Sequence, residues 1–296
     1  MDTLDCCPSC QSKDIGVRYA GRTARNPSDP ARWTVFECSV CGLGFLNPRP
    51  AWRELQSYYS AHYAAYRPSH GAQASDEDVI AKALSDGRFR HIPLPEGKRL
   101  LDVGCGGGYF LRICSKLGAK VQGVEPSKIA AEKARRQGLS VFNGMLDHFA
   151  SAQRFDIITA NQVLEHVPDP VFTLRKMKNL LAPGGMIWLA VPNGDCVWAR
   201  KLGWHWDGAD LPFHLLHFGP RSLAVAAERA DLKVARLYTN SAPKIVAFTI
   251  RKYLHARYRI PHRLLRLFIT RGRGAAIGAK LDAEGAGDNL IAELQP

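Results

Sequence analysis

The run Arg99-Leu-Leu-Asp-Val-Gly-Cys-Gly-Gly-Gly-Tyr-Phe110 constrains this chain more than any other stretch. Leu100, Leu101 and Val103 are the short apolar run of a strand buried on both faces of a parallel sheet. Gly104, Gly106, Gly107 and Gly108 allow a tight turn and let a ligand touch bare backbone. Phe110, Leu111, Ile113, Cys114 and Leu117 then recur at helical spacing up to Gly118. Strand, glycine turn and helix in that order open a nucleotide-binding βαβ unit.

The glycine spacing narrows the ligand. A dinucleotide fingerprint needs G-x-G-x-x-G/A, but counting from Gly104 the last position is Tyr109, and counting from Gly106 it is Leu111. No P-loop Lys-Ser/Thr follows either. A second strand, Lys120-Val-Gln-Gly-Val124, ends in Glu125, 21 residues after Gly104. A carboxylate at that point accepts both hydroxyl protons of a ribose. The ligand reads as a nucleoside without a diphosphate.

Leu101-Asp-Val-Gly-Cys-Gly-Gly-Gly108 with Gly123-Val-Glu125-Pro resembles the first motif and acidic strand end of class I S-adenosylmethionine-dependent methyltransferases. The resemblance continues through Phe155–Ala160, Val163-Leu-Glu-His-Val-Pro-Asp-Pro170 and Leu180-Leu-Ala-Pro-Gly-Gly185. It implies an α/β, Rossmann-like seven-stranded sheet whose last strand is antiparallel, with S-adenosylmethionine held by Asp102, Gly104, Gly106, Gly108 and Glu125. It further implies that Asn143–Asp147, with Met145 and Leu146, wraps the adenine, and that Asn161 and Gln162 face the methionine part. Val141-Phe142, Phe155–Ala160, Met186–Val191, Leu232–Tyr238 and Asn289–Leu294 supply the remaining strands. Pro183-Gly-Gly185 is a turn into the fifth, and Glu165–Asp169 caps a helix.

With 296 residues, 46% of them hydrophobic, the chain has one or two domains and a sizeable core. No stretch approaches the ~18 consecutive apolar residues of a membrane span, and Met1-Asp-Thr-Leu-Asp-Cys-Cys lacks the basic and apolar regions of a signal peptide. The expected location is cytoplasmic, so the eight cysteines read as thiols or metal ligands. Cys7-Pro-Ser-Cys10 and Cys38-Ser-Val-Cys41 are two C-x-x-C knuckles with 27 residues between them, the pattern of a structural Cys₄ zinc site. Four unmetallated thiols are the plainer alternative, and Cys6 competes with Cys7 for the first place.

Phe45-Leu-Asn-Pro-Arg-Pro50 is a rigid exit from this ribbon. Leu55, Tyr58, Tyr59, His62, Tyr63 and Tyr66 follow at helical spacing, and residues 67–78 read as linker. The stretch from Cys7 to Tyr63 resembles the zinc-ribbon leader of some bacterial methyltransferases, including deoxysugar C-methyltransferases, where aromatic residues lie over the cofactor. The expected organisation is therefore a ribbon over 1–48, an aromatic helix and linker over 49–78, and a methyltransferase domain over 79–296.

Two segments exceed a minimal domain. Residues 194–218 are expected over the C-terminal edge of the sheet and carry Trp198, Trp204, His205, Trp206, Phe213, His214, His217 and Phe218. An oxygen nucleophile needs its proton removed, and His217 and His214 are the first candidates for the base, with His166 behind them. Residues 240–286 insert before the last strand. From Leu232 to Lys280 there are twelve Lys and Arg and no acid, against a net charge of +13 for the whole chain. Ile260, Leu264, Leu267 and Phe268 form an apolar stripe there beside Arg259, Arg263 and Arg266. Such a stretch suits an anionic or lipid-linked acceptor or the inner membrane surface, or is a solvated face; no nucleic-acid module accompanies it. The expected activity is methyl transfer to a small acceptor, a hydroxyl of a sugar, glycolipid or quinone-like compound, with sugar carbon methylation or a non-catalytic binding protein as alternatives.

Overall fold

Leu100, Leu101 and Val103 are buried from both sides because their strand lies in the interior of a seven-stranded sheet, with a strand on either side. The computed structural model describes residues 1–23, 29–51, 54–55, 80–81, 92 and 95–296. Sheet strands are β4 (Arg99–Val103), β5 (Lys120–Glu125), β6 (Val141–Asn143), β7 (Phe155–Asn161), β8 (Leu181–Pro192), β10 (Lys233–Thr239) and β11 (Asn289–Gln295). Their order is β10-β11-β8-β7-β4-β5-β6. The pairs from β8 to β6 are parallel, and β11 runs antiparallel to both neighbours, as the resemblance implies.

The helices that cover the sheet begin and pack where the sequence directs. Helix α1 (Tyr109–Lys116) buries Phe110, Leu111, Ile113 and Cys114. In α2 (Lys128–Arg135) the Ser127 hydroxyl accepts from Ala130 N at the N-cap. Asp169 caps α3 (Pro170–Leu180) by accepting from Phe172 N at 2.9 Å, with Pro170 at the first turn. Helix α5 (Pro220–Arg229) precedes β10. The expected turn at Pro183–Gly185 is instead a bulge inside one long strand. Leu181 pairs with Phe155 and Met186 with Ile157, so the intervening residues loop out while pairing continues on both sides.

The N-terminal strands β1 (Ile15–Gly21), β2 (Trp33–Cys38) and β3 (Gly44–Leu46) form an antiparallel sheet that does not end at the ribbon. Its fourth strand is β9 (Leu216–His217), supplied by the segment after β8. Leu46 N donates to Leu215 O, and the Arg18 guanidinium donates to Gly194 O at 2.8 Å. Trp33, Val35, Phe45 and Leu46 accordingly share one apolar core with Leu101, Ile158 and Phe218. The expected aromatic helix and linker, 49–78, lie outside the described residues apart from residues 49–51, Glu54 and Leu55.

The insertion folds as α6 (Pro243–Tyr258), α7 (His262–Phe268) and α8 (Arg271–Ala283) between β10 and β11. Gly274 lets α8 approach α6 closely, since a Cβ there would lie 2.2 Å from Pro243 O. Val246 and Ile250 of α6 pack with Trp198, Leu202 and Trp206 around α4 (Val197–Leu202), so the insertion stands against the segment that leads to His214. Leu265 is the buried residue of α7, while Leu267 is 71% and Phe268 60% exposed. Among the described residues no helix is long and apolar enough to cross a membrane.

Candidate active site

The glycine turn after β4 is left-handed at Gly104 (φ 70°) and Gly108 (φ 82°), and both sites are crowded as well. A Cβ on Gly104 would lie 2.5 Å from Val163 Cγ2, and one on Gly108 2.5 Å from Leu139 Cδ1. Only glycine meets both demands. The turn presses its backbone on Glu125: Gly106 N donates to Oε2 and Ser127 N to Oε1, each at 2.8 Å. That carboxylate is 3% exposed, and its orientation is fixed from both sides.

The other residues expected around the cofactor gather on the same rim, at the C-terminal ends of β4 to β7. Asn143 Nδ2 and Gly144 N donate to the Glu125 backbone carbonyl, which ties the segment holding Met145 and Leu146 to the end of β5. Leu146 is buried and Met145 half-buried. Asp102 accepts from Thr159 Oγ1 at 2.7 Å and so braces β4 against β7 from below the turn. Asn161 ends β7, and Gln162 (φ 57°) donates from Nε2 to Asn289 Oδ1 at 3.0 Å.

Directly beyond Val163 the chain makes a short 3-10 turn, Leu164–His166, and meets the segment after α4. Leu215 N donates to Glu165 O. The rings of His166 and His214 stand edge to face with centroids 4.7 Å apart. His166 Nδ1 donates to Phe213 O and His214 Nδ1 to Gly208 O, each at 2.8 Å. Carbonyls only accept, so in the neutral rings the lone pair sits on Nε2. Those Nε2 atoms lie 3.9 and 4.0 Å from Glu165 Oε1, and His214 Nε2 lies 3.7 Å from Asp210 Oδ2. Glu165 is 0% exposed, and neither oxygen has a hydrogen-bond partner among the described residues. Burial pushes its carboxyl up to about 8, and the Asp210 charge adds to this.

His217 is placed elsewhere. On β9 it is 3% exposed, with its ring stacked on Tyr19 and Nδ1 at 2.9 Å from the Tyr19 hydroxyl. Burial first, then the Arg18 guanidinium, lowers it to about 4. The structure thus brings two of the three candidate histidines together and leaves the third under the ribbon. Sequence reading assigned Glu165 to a helix cap and did not single out Asp210. The usable signal was Asp210-x-x-x-His214, one helical turn apart, beside an acid-histidine pair on the cofactor rim.

The four knuckle cysteines meet around one point. Cys7 Sγ lies 3.6 Å from Cys41 Sγ, and Cys10 Sγ 3.5 Å from Cys38 Sγ. Thiolates sharing one tetrahedral zinc at about 2.3 Å stand nearly 4 Å apart, so the donor set fits that ion. Cys6 is turned toward Gln11 Oε1 instead. The hydrogen bond with Cys41 holds the Cys7 thiol down to about 5, despite its burial.

A family model described as Methyltransferase domain matches residues 76–237, more than half of the chain. A ubiquinone biosynthesis O-methyltransferase of Coxiella burnetii is 40% identical over 144 residues, covering 46% of this chain and 60% of its own length. One of the same name from Haemophilus ducreyi is 38% identical over 109 residues, covering 33% of this chain and 46% of its own length. The chain thus spans about half the length of the curated relatives it matches. The solved S-adenosylmethionine dependent methyltransferase of Mesorhizobium loti superposes with a TM-score of 0.50 at 18% identity, over 70% of this chain and 95% of that one, a likeness of fold.

Proposed function

This chain belongs to the methyltransferase-domain family, among the class I S-adenosylmethionine-dependent methyltransferases, and on that premise we propose that it methylates a hydroxyl of a small, quinone-like acceptor. The observation that carries the reading is Glu125, a buried carboxylate clamped by Gly106 N and Ser127 N beside a left-handed glycine turn. A ribose would fit there, and the glycine spacing carries no diphosphate-binding signature. Of the acceptor classes the sequence suggests, the relatives' names favour the quinone-like one over sugar or glycolipid.

S-adenosylmethionine, when bound, supplies a methyl group on a sulfonium, a leaving group that needs no acid. What remains for this chain is alignment and the acceptor's proton. Glu125 would hold the ribose hydroxyls, with Gly104 and Gly108 keeping side chains out of the way. Met145 and Leu146 would border the adenine, and Asn161 and Gln162 the methionine end. Asp102 acts through Thr159 and the turn, as a positioning residue. The acceptor hydroxyl is assigned to the side of His166 and His214, whose Nε2 lone pairs suit a proton or a cation. His217, buried against Tyr19, is assigned to holding the ribbon.

The closed Cys₄ set of Cys7, Cys10, Cys38 and Cys41 is proposed to take one structural zinc. The arginines and exposed apolar residues of α7 support contact with an anionic or lipid-linked acceptor, or with an anionic membrane surface. Incubation with methyl-labelled S-adenosylmethionine and either a prenylated dihydroxybenzene or a free sugar tests the acceptor. Label on the aromatic hydroxyl is expected; label on the sugar alone would refute the quinone-like assignment.

A further inference from the structure

We propose that Arg18, Tyr19 and Arg49 of the N-terminal segment are positioning residues for methyl transfer, which clamp the wall assigned to the acceptor. The proposal rests on the placing of the acceptor beside His166 and His214. That wall has two parts: the turn after β7 that carries Glu165 and His166, and residues 194–217 after β8. Both stand at the C-terminal edge of the sheet, where an open α/β fold binds ligands. Connecting segments of this kind are the mobile parts of a fold unless something else holds their backbone.

The N-terminal segment grips both parts. Arg18, with its side chain 15% exposed, donates from Nη2 to Gly194 O at 2.8 Å and stands 4.0 Å from Asp195 Oδ1, where the wall begins. At the other end the Tyr19 hydroxyl meets His217 Nδ1 at 2.9 Å, beside the pairs Gly44–His217 and Phe45–Leu216. Between them Gly21 lies so close to Trp204 that a Cβ on it would stand 2.3 Å from Trp204 Cβ. The turn after β7 is reached twice. Leu46 N donates to Leu215 O at 2.9 Å, and Leu215 N donates onward to Glu165 O at 2.8 Å. Arg49 donates from Nη1 to Pro168 O at 2.7 Å, just past His166, while its own backbone is paired with Asp2. A guanidinium on a carbonyl fixes the course of a loop directly, and bonds from a charged donor are the stronger kind. Glu125, by contrast, is fixed by Gly106 N and Ser127 N of its own sheet edge. Loosening the clamp therefore displaces the acceptor and spares the cofactor; a misplacement of about 1 Å can cost about 10²-fold in rate.

The test is hydrogen exchange of the full-length chain, read by mass spectrometry, in Arg18→Met, Tyr19→Phe and Arg49→Met, with Arg18→Lys as the conservative control. Exchange about tenfold faster than wild type is expected across 163–168 and 208–217, with 100–126 unchanged and Arg18→Lys close to wild type. Arg49 lies outside β1 to β3, so Arg49→Met stays informative if Arg18→Met fails to fold. Unchanged exchange in both arginine variants, or acceleration that extends equally to 100–126, overturns the clamp. Kinetics on the prenylated dihydroxybenzene should show its KM raised about fivefold while the KM for S-adenosylmethionine stays the same. Equal acceptor KM despite faster exchange overturns the positioning role. Failure of wild type to methylate that probe would instead strike the proposed acceptor, and the exchange result then decides the clamp by itself.

Discussion

Glu125 has little freedom, since Gly106 N and Ser127 N already fix both oxygens. Glu125→Ala removes the proposed ribose acceptor and the partner of the turn's Gly106 N. S-adenosylmethionine binding by calorimetry should weaken by about 2–3 kcal/mol; unchanged affinity would place the ribose elsewhere. His217 makes a prediction about stability. Its folded value, about 4, lies below the ordinary 6.5, so between those values the unfolded chain binds the extra proton. The contribution is therefore present above pH 6.5 and is lost as pH falls toward 4, on the order of 3 kcal/mol for this fully buried ring. Denaturant melts of His217→Phe should show a flatter loss of stability between pH 7 and pH 4.5 than wild type. Equal slopes would mean that the ring is not held neutral.

The ribbon is an element whose sheet is completed by β9, far along the chain, through the pairs Gly44–His217 and Phe45–Leu216. Its two knuckles meet through four thiols rather than through a large core of their own. Cys38→Ser should therefore eliminate the zinc found by metal analysis and loosen β1 to β3, read as hydrogen exchange there ahead of the main sheet. Zinc retained at one per chain in that variant would remove Cys38 from the site. Helix α7 is the other exposed element. It buries Leu265 and turns Leu267 and Phe268 outward among arginines. Each arginine near an anionic bilayer contributes about 1 kcal/mol, screened by salt. Reversal of Arg259, Arg263 and Arg266 to Glu should abolish low-salt binding to phosphatidylglycerol vesicles while cofactor affinity stays the same. Wild type that ignores such vesicles would leave α7 as a solvated face.

Across the whole molecule, what was legible in the sequence was what neighbouring residues decide. The glycine turn, Glu125 at the end of the next strand, the Asp169 cap and the antiparallel last strand all follow from short-range patterns or from the family's motif order. The paired knuckles were legible because C-x-x-C carries its own geometry. Long-range meetings were not. Tyr19 reaches His217 across 198 positions, and Asp210 and His214 close on Glu165 only when the segment after β8 folds back. Nor did the strand pattern reveal that Pro183–Gly185 bulges within β8, because a bulge and a turn use the same residues. The central claim is that the rim of β4 to β7 is an S-adenosylmethionine site, and its most direct measurement is a calorimetric titration of the full-length chain with S-adenosylmethionine and, separately, with NADH. One S-adenosylmethionine per chain, bound more tightly than NADH, is the predicted result; absence of S-adenosylmethionine binding, or tighter binding of NADH, would contradict it.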